Sequence, residues 1–462
     1  MLLNWESKRV LVLGAGITGN AVAKTLTAQG ARVDLVDDNA IAASVFAVLD
    51  PNSIKLTDYS AVVVSPGWKR EHPIILKAVE VGIEILNEID IAWRISQEIS
   101  PNQKWLALTG TNGKTTTVEM TAAMLQRAGL NAIACGNVGN TVIEAVTHSD
   151  AFDYLILELS SFQLYWMKEA SFVSAAILNI ADDHLDWHGS FKEYCDAKFS
   201  ILDRAEHAIL NGEDSEILLR ANDFQGPKSF FSLGTPAPGE LGVVEDLLVD
   251  RAFVSDAQEA SMIASLKDIQ PTLPHSVLNA LAAAALARTV QVSYADIQRA
   301  LIDFHPGPHR IELILNSNGV SWIDDSKATN PHAASASIMS HLSVVWIAGG
   351  LAKGADMEWL IERTNNRIKA VILIGQDQQL IESALLKIAP AISVEKININ
   401  HIKGGLSNLL MESVVKAAQK YAAAGDTVLL APACASMDQF TSYADRGDRF
   451  AAAVRKLVTD EE

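Results

Sequence analysis

Short apolar runs alternate with helix-patterned stretches along the chain, and this alternation limits the possible fold more than any other feature of the sequence. Val10–Leu13, Val33–Val36 and Val62–Val64 are rich in β-branched residues and are predicted to be buried strands. Asn20–Gln29 and Ile74–Val81 separate them with helical periodicity, and each is followed by a glycine of the kind that ends helices. This alternation predicts parallel sheets covered by helices on both faces, so the expected fold class is α/β.

The same alternation restarts twice. After a linker near Ser100-Pro101-Asn102, a strand at Trp105–Thr109 leads through a glycine-rich loop to a helix at Thr116–Ala128. Residues 226–270 show weak periodicity and several turn signals and are interpreted as a mixed insertion, and a second break falls at Pro306-Gly307-Pro308. The 462 residues suit about three domains, and the pattern predicts consecutive α/β domains at 1–95, 96–306 and 307–462. The other predicted strands are Tyr154–Leu159, Ala175–Asn179, Ser321–Ile323, Val344–Ala348, Val371–Ile374 and Val428–Leu430.

Composition excludes several classes of protein. A hydrophobic fraction of 49% and a charged fraction of 20% are typical of globular domains and not of disordered, fibrous or coiled-coil chains. The net charge of −18 disfavours nucleic acid and anionic membrane surfaces as partners. No stretch reaches the roughly 18 apolar residues of a membrane span, no signal-peptide pattern is visible, and the 3 widely spaced cysteines fit a reducing compartment. The expected location is the cytoplasm.

A first glycine-rich loop directly follows the first predicted strand. It reads Gly14-Ala15-Gly16-Ile17-Thr18-Gly19, and Asp37 ends the next strand. This is the dinucleotide-binding fingerprint in its expected strand–loop–helix context. The glycines let the backbone approach a diphosphate, which the helix N-terminus attracts. From these residues alone three interpretations stay open: a nicotinamide or flavin cofactor, another diphosphate nucleotide, or a purely structural tight turn.

A second glycine-rich loop, Thr109-Gly110-Thr111-Asn112-Gly113-Lys114-Thr115-Thr116, lies between a predicted strand and a helix. The Gly-Lys-Thr ending is typical of a triphosphate site, in which backbone N–H groups cradle the phosphates, Lys114 reaches the β and γ oxygens and Thr115 binds Mg²⁺. Leu108 stands where a standard P-loop has its first glycine, and a chance turn is the other interpretation. A dehydrogenase has no use for an ATP loop. A ligase that phosphorylates a carboxylate on a nucleotide-bearing substrate needs both sites.

Further motifs resemble the Mur ligases of bacterial peptidoglycan synthesis and the wider family that includes folylpolyglutamate synthase. These motifs are Glu158-Leu159-Ser160-Ser161-Phe162-Gln163-Leu164, Asn179, Asp183-His184-Leu185-Asp186, His188-Gly189, and Tyr194 with Lys198. Three more motifs are similar to the D-glutamate-adding members: Asp324-Asp325-Ser326-Lys327-Ala328-Thr329-Asn330, Pro432-Ala433-Cys434-Ala435-Ser436-Met437-Asp438-Gln439-Phe440 and Arg446-Gly447. The resemblance spans all three predicted domains. It implies a Rossmann-like UDP-binding domain, a P-loop-type central ATPase domain and a Rossmann-like C-terminal domain that binds the amino acid.

The resemblance implies a ligase that uses ATP to join D-glutamate to UDP-N-acetylmuramoyl-L-alanine through an acyl phosphate. It implies two Mg²⁺ ions, a carbamoylated Lys198, and small-molecule substrates with no nucleic acid, membrane insertion or obligate protein partner. The expected catalytic residues are Lys114, His184 and Lys198, and the expected metal ligands are Thr115, Glu158, His184 and Lys198 as its carbamate. The expected ATP-binding residues are Gly110, Thr111, Asn112, Gly113, Lys114, Thr115, Thr116, Asn279, Arg310 and Asp325. Ser276 replaces a usual asparagine, which affects one polar contact near the phosphates.

The two other substrates have expected sites of their own. By the resemblance, the UDP-bearing substrate contacts Gly16, Ile17, Thr18, Gly19, Asp37, Asp38, Ser65, Gly67 and Asn137. D-Glutamate contacts Lys327, Thr329, Lys353, Ser436 and Tyr443. Two lysines facing a dicarboxylate make charge-assisted hydrogen bonds. Tyr443 stands where relatives often have phenylalanine, so its hydroxyl is expected to be silent if only its backbone is used.

Two other functions compete with the ligase. A nicotinamide oxidoreductase would rest on the first glycine loop, and Gly113-Lys114-Thr115 argues against it. A non-catalytic nucleotide sensor or scaffold is the other candidate. The joint presence of side chains expected to serve catalysis and substrate binding argues against a sensor or scaffold. These residues are Lys114, Glu158, His184, Lys198, Lys353 and Ser436.

Overall fold

The computed structural model describes residues 5–38, 46–397 and 406–458. By its internal contacts the chain divides into two compact units, Met1–Ile180 with Trp187–Phe304 and Ala181–Asp186 with His305–Glu462. Three sheets of strands that alternate with helices confirm the predicted α/β class. Within the described ranges no helix has the length and apolar character needed to span a membrane. The domain limits at 95 and 306 stay predictions.

The first unit opens with a five-stranded sheet. Its strands are β1 (Arg9–Leu13), β2 (Arg32–Val36), β3 (Val48–Leu49), β4 (Ala61–Val64) and β5 (Glu84–Leu86), and its helices are α1 (Ile17–Ala28), α2 (Pro73–Glu80) and α3 (Glu88–Ile99). The strands are all parallel, in the order β3-β2-β1-β4-β5. The chain therefore changes direction across the sheet between β1 and β4, and such a point opens a crevice at the carboxyl ends of the strands. Gly30 and Gly82 have φ of +87° and +72° just after α1 and α2, so these helices end where predicted.

The second sheet of this unit has nine strands. They are β6 (Lys104–Thr109), β7 (Ala132–Gly136), β8 (Tyr154–Glu158), β9 (Ser174–Ile177), β10 (Ala208–Asn211), β11 (Lys228–Phe231), β12 (Glu240–Val244), β13 (Leu247–Asp250) and β14 (Ser261–Ser265). The helices in this part of the chain are α4 (Lys114–Arg127), α5 (Val142–Val146), α6 (Ser161–Trp166), α7 (Leu185–His188), α8 (Phe191–Phe199), α9 (Ser215–Arg220), α10 (Pro274–Thr289) and α11 (Tyr294–Asp303). The strand order is β14-β13-β12-β11-β10-β9-β6-β8-β7. Residues 226–270, interpreted as a mixed insertion, extend this sheet, because β11 and β12 join in parallel and β12–β14 form an antiparallel edge.

The second unit contains a six-stranded sheet. Its strands are β15 (Glu312–Ser317), β16 (Val320–Asp324), β17 (Val344–Gly349), β18 (Ile368–Ile374), β19 (Ser393–Lys396) and β20 (Thr427–Leu430). Its helices are α12 (Pro331–Met339), α13 (Met357–Thr364), α14 (Gln378–Ile388), α15 (Leu406–Gln419) and α16 (Tyr443–Leu457). The order is β15-β16-β20-β17-β18-β19, with β15 antiparallel to β16 and the other pairs parallel. The carboxyl ends of β16, β20 and β17 therefore meet at one edge.

Successive residues of the central strands belong to different apolar cores. In β6, Trp105 and Ala107 belong to one buried cluster, and Leu106 and Leu108 belong to another. Side chains alternate between the faces of a sheet, so both faces of this one are covered by apolar packing. Ala280–Ala287 of α10 is buried in the second cluster, where small side chains let the helix lie close to the strands.

Candidate nucleotide and amino-acid sites

A cleft of about 630 Å³ opens at the carboxyl ends of β1 and β4. The described residues that line it are Gly14, Gly16, Ile17, Thr18, Asp37, Asp38, Ser65, Gly67, Trp68, Lys69, Glu71 and His72. Seven residues of the expected UDP site are among them. Gly19 is not, and its place in the fold explains why: a Cβ at Gly19 would collide with the carbonyl oxygen of Gly14. Gly19 therefore permits the tight packing of α1 beneath the loop and does not offer a surface to a ligand.

The first glycine loop is braced by its own neighbours. Gly14 has φ of +104°, and its N–H donates to the carbonyl of Val36 at 2.7 Å. The N–H of Ala15 donates to Oδ2 of Asp37, also at 2.7 Å. Helix α1 begins after Gly16 with no side-chain cap and no acidic residue in its first turn. Its N-terminal N–H groups and positive dipole end therefore suit an anion such as a diphosphate.

The segment that follows β4 supplies cleft residues that the sequence did not indicate. The Trp68 and His72 rings meet edge to face with centroids 4.4 Å apart. Nε2 of His72 lies 3.4 Å from Oδ2 of Asp38, and Nδ1 of His72 accepts from the N–H of Ile74 at the start of α2. Only the position of this segment could have pointed to these residues. It follows β4, which lies next to β1 where the chain changes direction across the sheet.

The second glycine loop joins β6 to α4. Gly113 has φ of +83° and precedes the first residue of α4, Lys114. Nζ of Lys114 donates to the carbonyls of Gly110 at 2.8 Å and Thr111 at 2.9 Å, so the ammonium lies over the loop. A Cβ at Gly113 would collide with Oδ1 of Asn279, which places this expected ATP residue of α10 against the loop.

Side chains from neighbouring elements fix the shape of this loop. The N–H of Asn112 donates to Oδ1 of Asn179 at 2.8 Å, and Nδ2 of Asn179 donates to the carbonyl of Asn112 at 3.0 Å. The hydroxyls of Thr111 and Tyr194 lie 2.8 Å apart. Thr115 is buried in the first turn of α4, and Thr116 follows it. The loop is therefore organised without any ligand.

Glu158 ends β8 beside Leu108 of β6 and is only 2% exposed. Its Oε1 accepts from Nδ2 of Asn137 at 2.9 Å. Its Oε2 is buried and has no hydrogen-bond partner among the described residues. A buried carboxylate oxygen without a donor is costly unless a cation accompanies it. Asn137, expected to contact the UDP substrate, is not among the residues lining the first cleft and lies here instead.

Lys198 lies beneath the second loop. It is 2% exposed, and its Nζ donates to the carbonyl of Gly110 at 2.9 Å and to Oγ1 of Thr109 at 3.3 Å. The same nitrogen lies 4.8 Å from the centroid of the Tyr194 ring. The sequence alone could not distinguish this lysine from a solvated one, whereas its burial under the phosphate loop sets it apart.

His184 lies in the short segment Ala181–Asp186, which belongs to the second compact unit. Its φ is +54°, and its N–H donates to Oδ1 of Asp183 at 3.0 Å. Nε2 of His184 is 3.5 Å from Oδ2 of Asp183. Its expected role as a metal ligand stays a prediction.

All five expected D-glutamate residues belong to elements at one edge of the third sheet. Lys327 and Thr329 follow β16, Ser436 follows β20, Lys353 follows β17, and Tyr443 begins α16. The N–H of Leu351 donates to the carbonyl of Ala435 at 2.9 Å, and the N–H of Ala435 donates to the carbonyl of Leu351 at 3.0 Å. These two bonds join the loops after β17 and β20. Lys353 is exposed with φ of +50°. Two lysines and several hydroxyls at one edge can bind a small dicarboxylate.

Asp325 is buried at the same edge, and the pKa of its carboxyl is shifted from the usual value. Burial raises the pKa of its carboxyl to about 7, and Oδ1 accepts from the N–H of Ile311 at 3.3 Å. The neighbouring His309 is held by Asp324, whose Oδ2 is 2.7 Å from Nδ1, and this contact raises the pKa of the imidazole. Arg310, between His309 and Ile311, is flanked by two residues with φ above +50°. Arg310 therefore lies between two residues of strained backbone in the segment that leads into β15.

Arg446 is a structural residue of this edge whose role the sequence did not predict. It is fully buried, and burial lowers the pKa of its guanidinium to about 10. It donates to the carbonyl and hydroxyl oxygens of Ser326 at 2.9 Å each and to the carbonyl of Cys434 at 3.1 Å. One side chain thus ties the loop after β16 to the loop after β20. The sequence shows the Arg446-Gly447 motif, but it does not show that Arg446 contacts Ser326 and Cys434.

Comparison with known proteins identifies similar families and relatives. Family models match at residues 8–87 (Mur ligase MurD-like, N-terminal domain), 108–287 (Mur ligase middle domain) and 309–434 (Mur ligase, glutamate ligase domain). The UDP-N-acetylmuramoylalanine–D-glutamate ligase of Streptomyces avermitilis is 43% identical over 99% of this chain and 100% of its own length. The enzyme of the same name from Thermobifida fusca is 44% identical over 98% of this chain and 99% of its own.

A solved structure shares the fold at much lower identity. The pseudomurein peptide ligase type C of Methanothermus fervidus aligns with a TM-score of 0.61 and 18% identity, over 98% of this chain and 100% of that one. The likeness concerns the arrangement of elements along the whole chain.

Proposed function

Because the chain belongs to the Mur ligase family, whose members form peptide bonds with ATP in peptidoglycan precursor synthesis, we propose that it joins D-glutamate to UDP-N-acetylmuramoyl-L-alanine. The observation that carries this proposal is 43% identity, along the entire length, to a ligase named for that amino acid. The edge with Lys327, Lys353 and Ser436 supports it, since a dicarboxylic amino acid needs cationic and hydroxyl donors. We further propose a cytoplasmic location.

The proposed reaction has two steps. The terminal L-alanyl carboxylate of the UDP substrate attacks the γ-phosphorus of ATP, which forms an acyl phosphate and releases ADP. The amine of D-glutamate then attacks the acyl carbon, and the tetrahedral intermediate expels inorganic phosphate and loses a proton. The protein contributes positioning and charge neutralisation, as in other phosphoryl transfers.

The second glycine loop is proposed to bind the ATP phosphates. The amine of Lys114 lies over this loop and is proposed to exchange the carbonyls of Gly110 and Thr111 for phosphate oxygens when ATP binds. Asn279, against Gly113, is proposed to contact the adenine. Arg310 is proposed to reach the phosphates and Asp325 to hold the ribose. The other proposed ATP contacts are Gly110, Thr111, Asn112, Gly113, Thr115 and Thr116.

The residues around Glu158 fit a Mg²⁺ ion. Its buried Oε2, which has no hydrogen-bond partner in the described part of the chain, and the Thr115 hydroxyl are hard oxygen donors of the type that Mg²⁺ prefers. When bound, Mg²⁺ supplies positive charge against the phosphate oxygens. Asn137 orients the Glu158 carboxylate through its bond to Oε1. A second ion held by His184 and Lys198 is part of the proposal.

Carbamoylation of Lys198 is also proposed. Its neutral amine would add to CO₂ and lose a proton, which turns a buried cation into an anionic oxygen ligand. The carbamate nitrogen keeps one N–H, which can donate to the nearer of the two present acceptors, the carbonyl oxygen of Gly110. A ¹³C signal in the carbamate region, seen with labelled bicarbonate and absent from Lys198→Ala, supports this modification. Its absence from the wild type at neutral pH rules the modification out.

The first cleft is proposed to bind the UDP moiety. The diphosphate lies against the N-terminus of α1 near Gly16, Ile17 and Thr18, with Asp37 and Asp38 near the uracil and Ser65 and Gly67 closing the site. Gly19 supports this loop from beneath. Asn137 lies outside this cleft, bonded to Glu158, and is proposed to contact the phosphates or sugar of the UDP substrate from the central domain. This assignment replaces the nicotinamide interpretation of the first glycine loop.

Phosphate release tests the proposed function. The purified chain with Mg²⁺ is supplied with ATP, UDP-N-acetylmuramoyl-L-alanine and D-glutamate, and each component is omitted in turn. Release is expected only with all three, with one new amide product per phosphate detected by mass spectrometry. Release with another amino acid but not with D-glutamate would overturn the substrate assignment, and stoichiometric NADH binding would favour an oxidoreductase.

A further inference from the structure

The side chain of Tyr443 contacts Lys327, another residue of the proposed D-glutamate site. Nζ of Lys327 lies 3.1 Å from the Tyr443 hydroxyl and 4.6 Å from the centroid of its ring. The sequence predicts a silent hydroxyl only if the backbone of Tyr443, and not its side chain, serves the site. The structure instead shows the Tyr443 hydroxyl in hydrogen-bond contact with the Lys327 ammonium.

The direction of this hydrogen bond follows from the chemistry of the two groups. A lysine ammonium has three donors and no acceptor, so the tyrosine oxygen must accept. The hydroxyl proton of Tyr443 is therefore left to point away from Lys327. Among the residues that the structure describes, no acceptor for this proton is found within hydrogen-bond distance. A hydroxyl polarised by a bound cation is a stronger donor than an isolated one.

Tyr443 is held in place independently of Lys327. Its carbonyl accepts from the Ser326 hydroxyl at 2.7 Å, and that same hydroxyl oxygen accepts from Nε of the buried Arg446. Ser442 caps α16 by accepting from the N–H of Asp445. These bonds hold the backbone from which the Tyr443 side chain projects, and the Lys327 amine lies against that side chain.

We propose that the Tyr443 hydroxyl is a substrate-binding group that accepts a hydrogen bond from Lys327 and donates one to a carboxylate of D-glutamate. This inference rests on the proposed function. It assigns the side chain, and not only the backbone, of Tyr443 to the amino-acid site. A carboxylate placed there meets the lysine charge and the tyrosine proton together, which favours an anionic group over a neutral amide.

Tyr443→Phe removes one oxygen and keeps the ring. The KM for D-glutamate is expected to rise about fivefold, the ratio that corresponds to one hydrogen bond of ordinary net strength. The kcat and the KM values for ATP and the UDP substrate are expected to stay within twofold of wild type. A general loosening of the fold would move all three KM values and the melting temperature. Tyr421→Phe, in the same compact unit and part-buried against an apolar cluster, is the matched control.

Substrate analogues show whether the hydroxyl contacts a carboxylate. D-Glutamine and D-isoglutamine each replace one carboxylate by an amide, and wild type is expected to discriminate against at least one of them. Tyr443→Phe is expected to reduce that discrimination about fivefold. An unchanged KM for D-glutamate with unchanged discrimination overturns the inference while the ligase function stands. If wild type does not use D-glutamate at all, the proposed function fails, and the inference fails with it.

Discussion

Two charged side chains, Glu158 and Lys198, are buried to 2% exposure in the central part of the first unit. Burial of a charge is unfavourable unless partners compensate for the lost hydration. Lys198 has two oxygen acceptors and an aromatic ring, whereas Glu158 has one amide donor and one buried oxygen with no partner among the described residues. Such a group costs stability in the absence of a ligand, which supports the proposal that Glu158 binds a cation.

Glu158→Gln separates the stability of the fold from its activity. The amide removes the carboxylate charge and keeps an oxygen that can accept from Asn137, so the ligand-free protein is expected to melt no lower than wild type and up to about 2 °C higher. Turnover is expected to fall at least about 100-fold, because a metal ligand is lost. Differential scanning fluorimetry and phosphate release measure the two effects. A large loss of melting temperature would contradict the assignment of Glu158 as a cation ligand.

Lys114→Ala is expected to abolish turnover and leave the fold intact. The ammonium donates to two loop carbonyls at 2.8 and 2.9 Å, and α4 begins directly after Gly113, whose left-handed backbone sets the start of the helix. Loss of a charge on the γ-phosphate is expected to lower kcat at least about 100-fold. Circular dichroism and single-turnover ADP formation check both parts. Unchanged ADP formation would place the phosphates elsewhere.

At the scale of elements, each proposed site lies where neighbouring parallel strands end. The first cleft follows β1 and β4, the phosphate loop follows β6 beside the end of β8, and the amino-acid edge follows β16, β20 and β17. Parallel strands bring their carboxyl-end loops together even when hundreds of residues separate them in sequence. Glycines made the loops after β1 and β6 visible in the sequence, whereas the loops after β16 and β20 contain none.

The features predicted from the sequence are local ones. The strand and helix positions and the two glycine loops depend on residues within about 20 positions of each other, and the order of residues along the chain records such patterns. The Asn137–Glu158 bond, the Arg446 contacts with Ser326 and the burial of Lys198 depend on pairings across 21, 120 and 88 positions. Nothing in the local pattern marks these partners, because strand order decides which loops meet.

Trp68→Phe tests the loop between β4 and α2. Nε1 of Trp68 lies 3.2 Å from the position that a Cβ on Gly14 would take, so the indole nitrogen lies close to the first glycine loop. Loss of this donor is expected to raise the KM for the UDP substrate about fivefold and leave the KM for ATP unchanged. The change in intrinsic fluorescence on adding UDP-N-acetylmuramoyl-L-alanine is expected to shrink in this variant. Trp359→Phe, in the other compact unit, is the control that should keep it.

At the scale of the molecule, both compact units bury a carboxyl group whose pKa burial raises to about 7: Glu88 in the first and Asp325 in the second. Oε1 of Glu88, at the start of α3, accepts from the N–H of Ile143 at 2.6 Å. It therefore caps α5 from 55 positions away and joins the first sheet of the unit to the second. The carboxyls of Glu144 and Asp90 nearby disfavour its ionisation further.

This arrangement sets the sign of the pH dependence of stability. Between its ordinary pKa near 4.5 and about 7, Glu88 holds a proton in the folded chain and loses it on unfolding. The free energy of unfolding therefore falls as pH rises through this window, by about 3 kcal/mol for Glu88 at pH 8. Glu88→Gln keeps the acceptor for Ile143 without the ionisation. It is expected to be more stable than wild type at pH 8 and to show a smaller difference at pH 5.

Urea unfolding at pH 5 and pH 8 measures this difference for Glu88→Gln and for Glu98→Gln. Glu98 is an exposed residue on the same helix, so its variant should follow wild type at both values. Other carboxyls titrate in all three proteins, and the comparison between variants cancels their contribution. A Glu88→Gln curve parallel to wild type would mean that Glu88 is ionised in the folded chain at pH 5. The α3–α5 contact would then be a charged cap that stabilises α5 through its dipole, and the variant would be the less stable protein at both pH values.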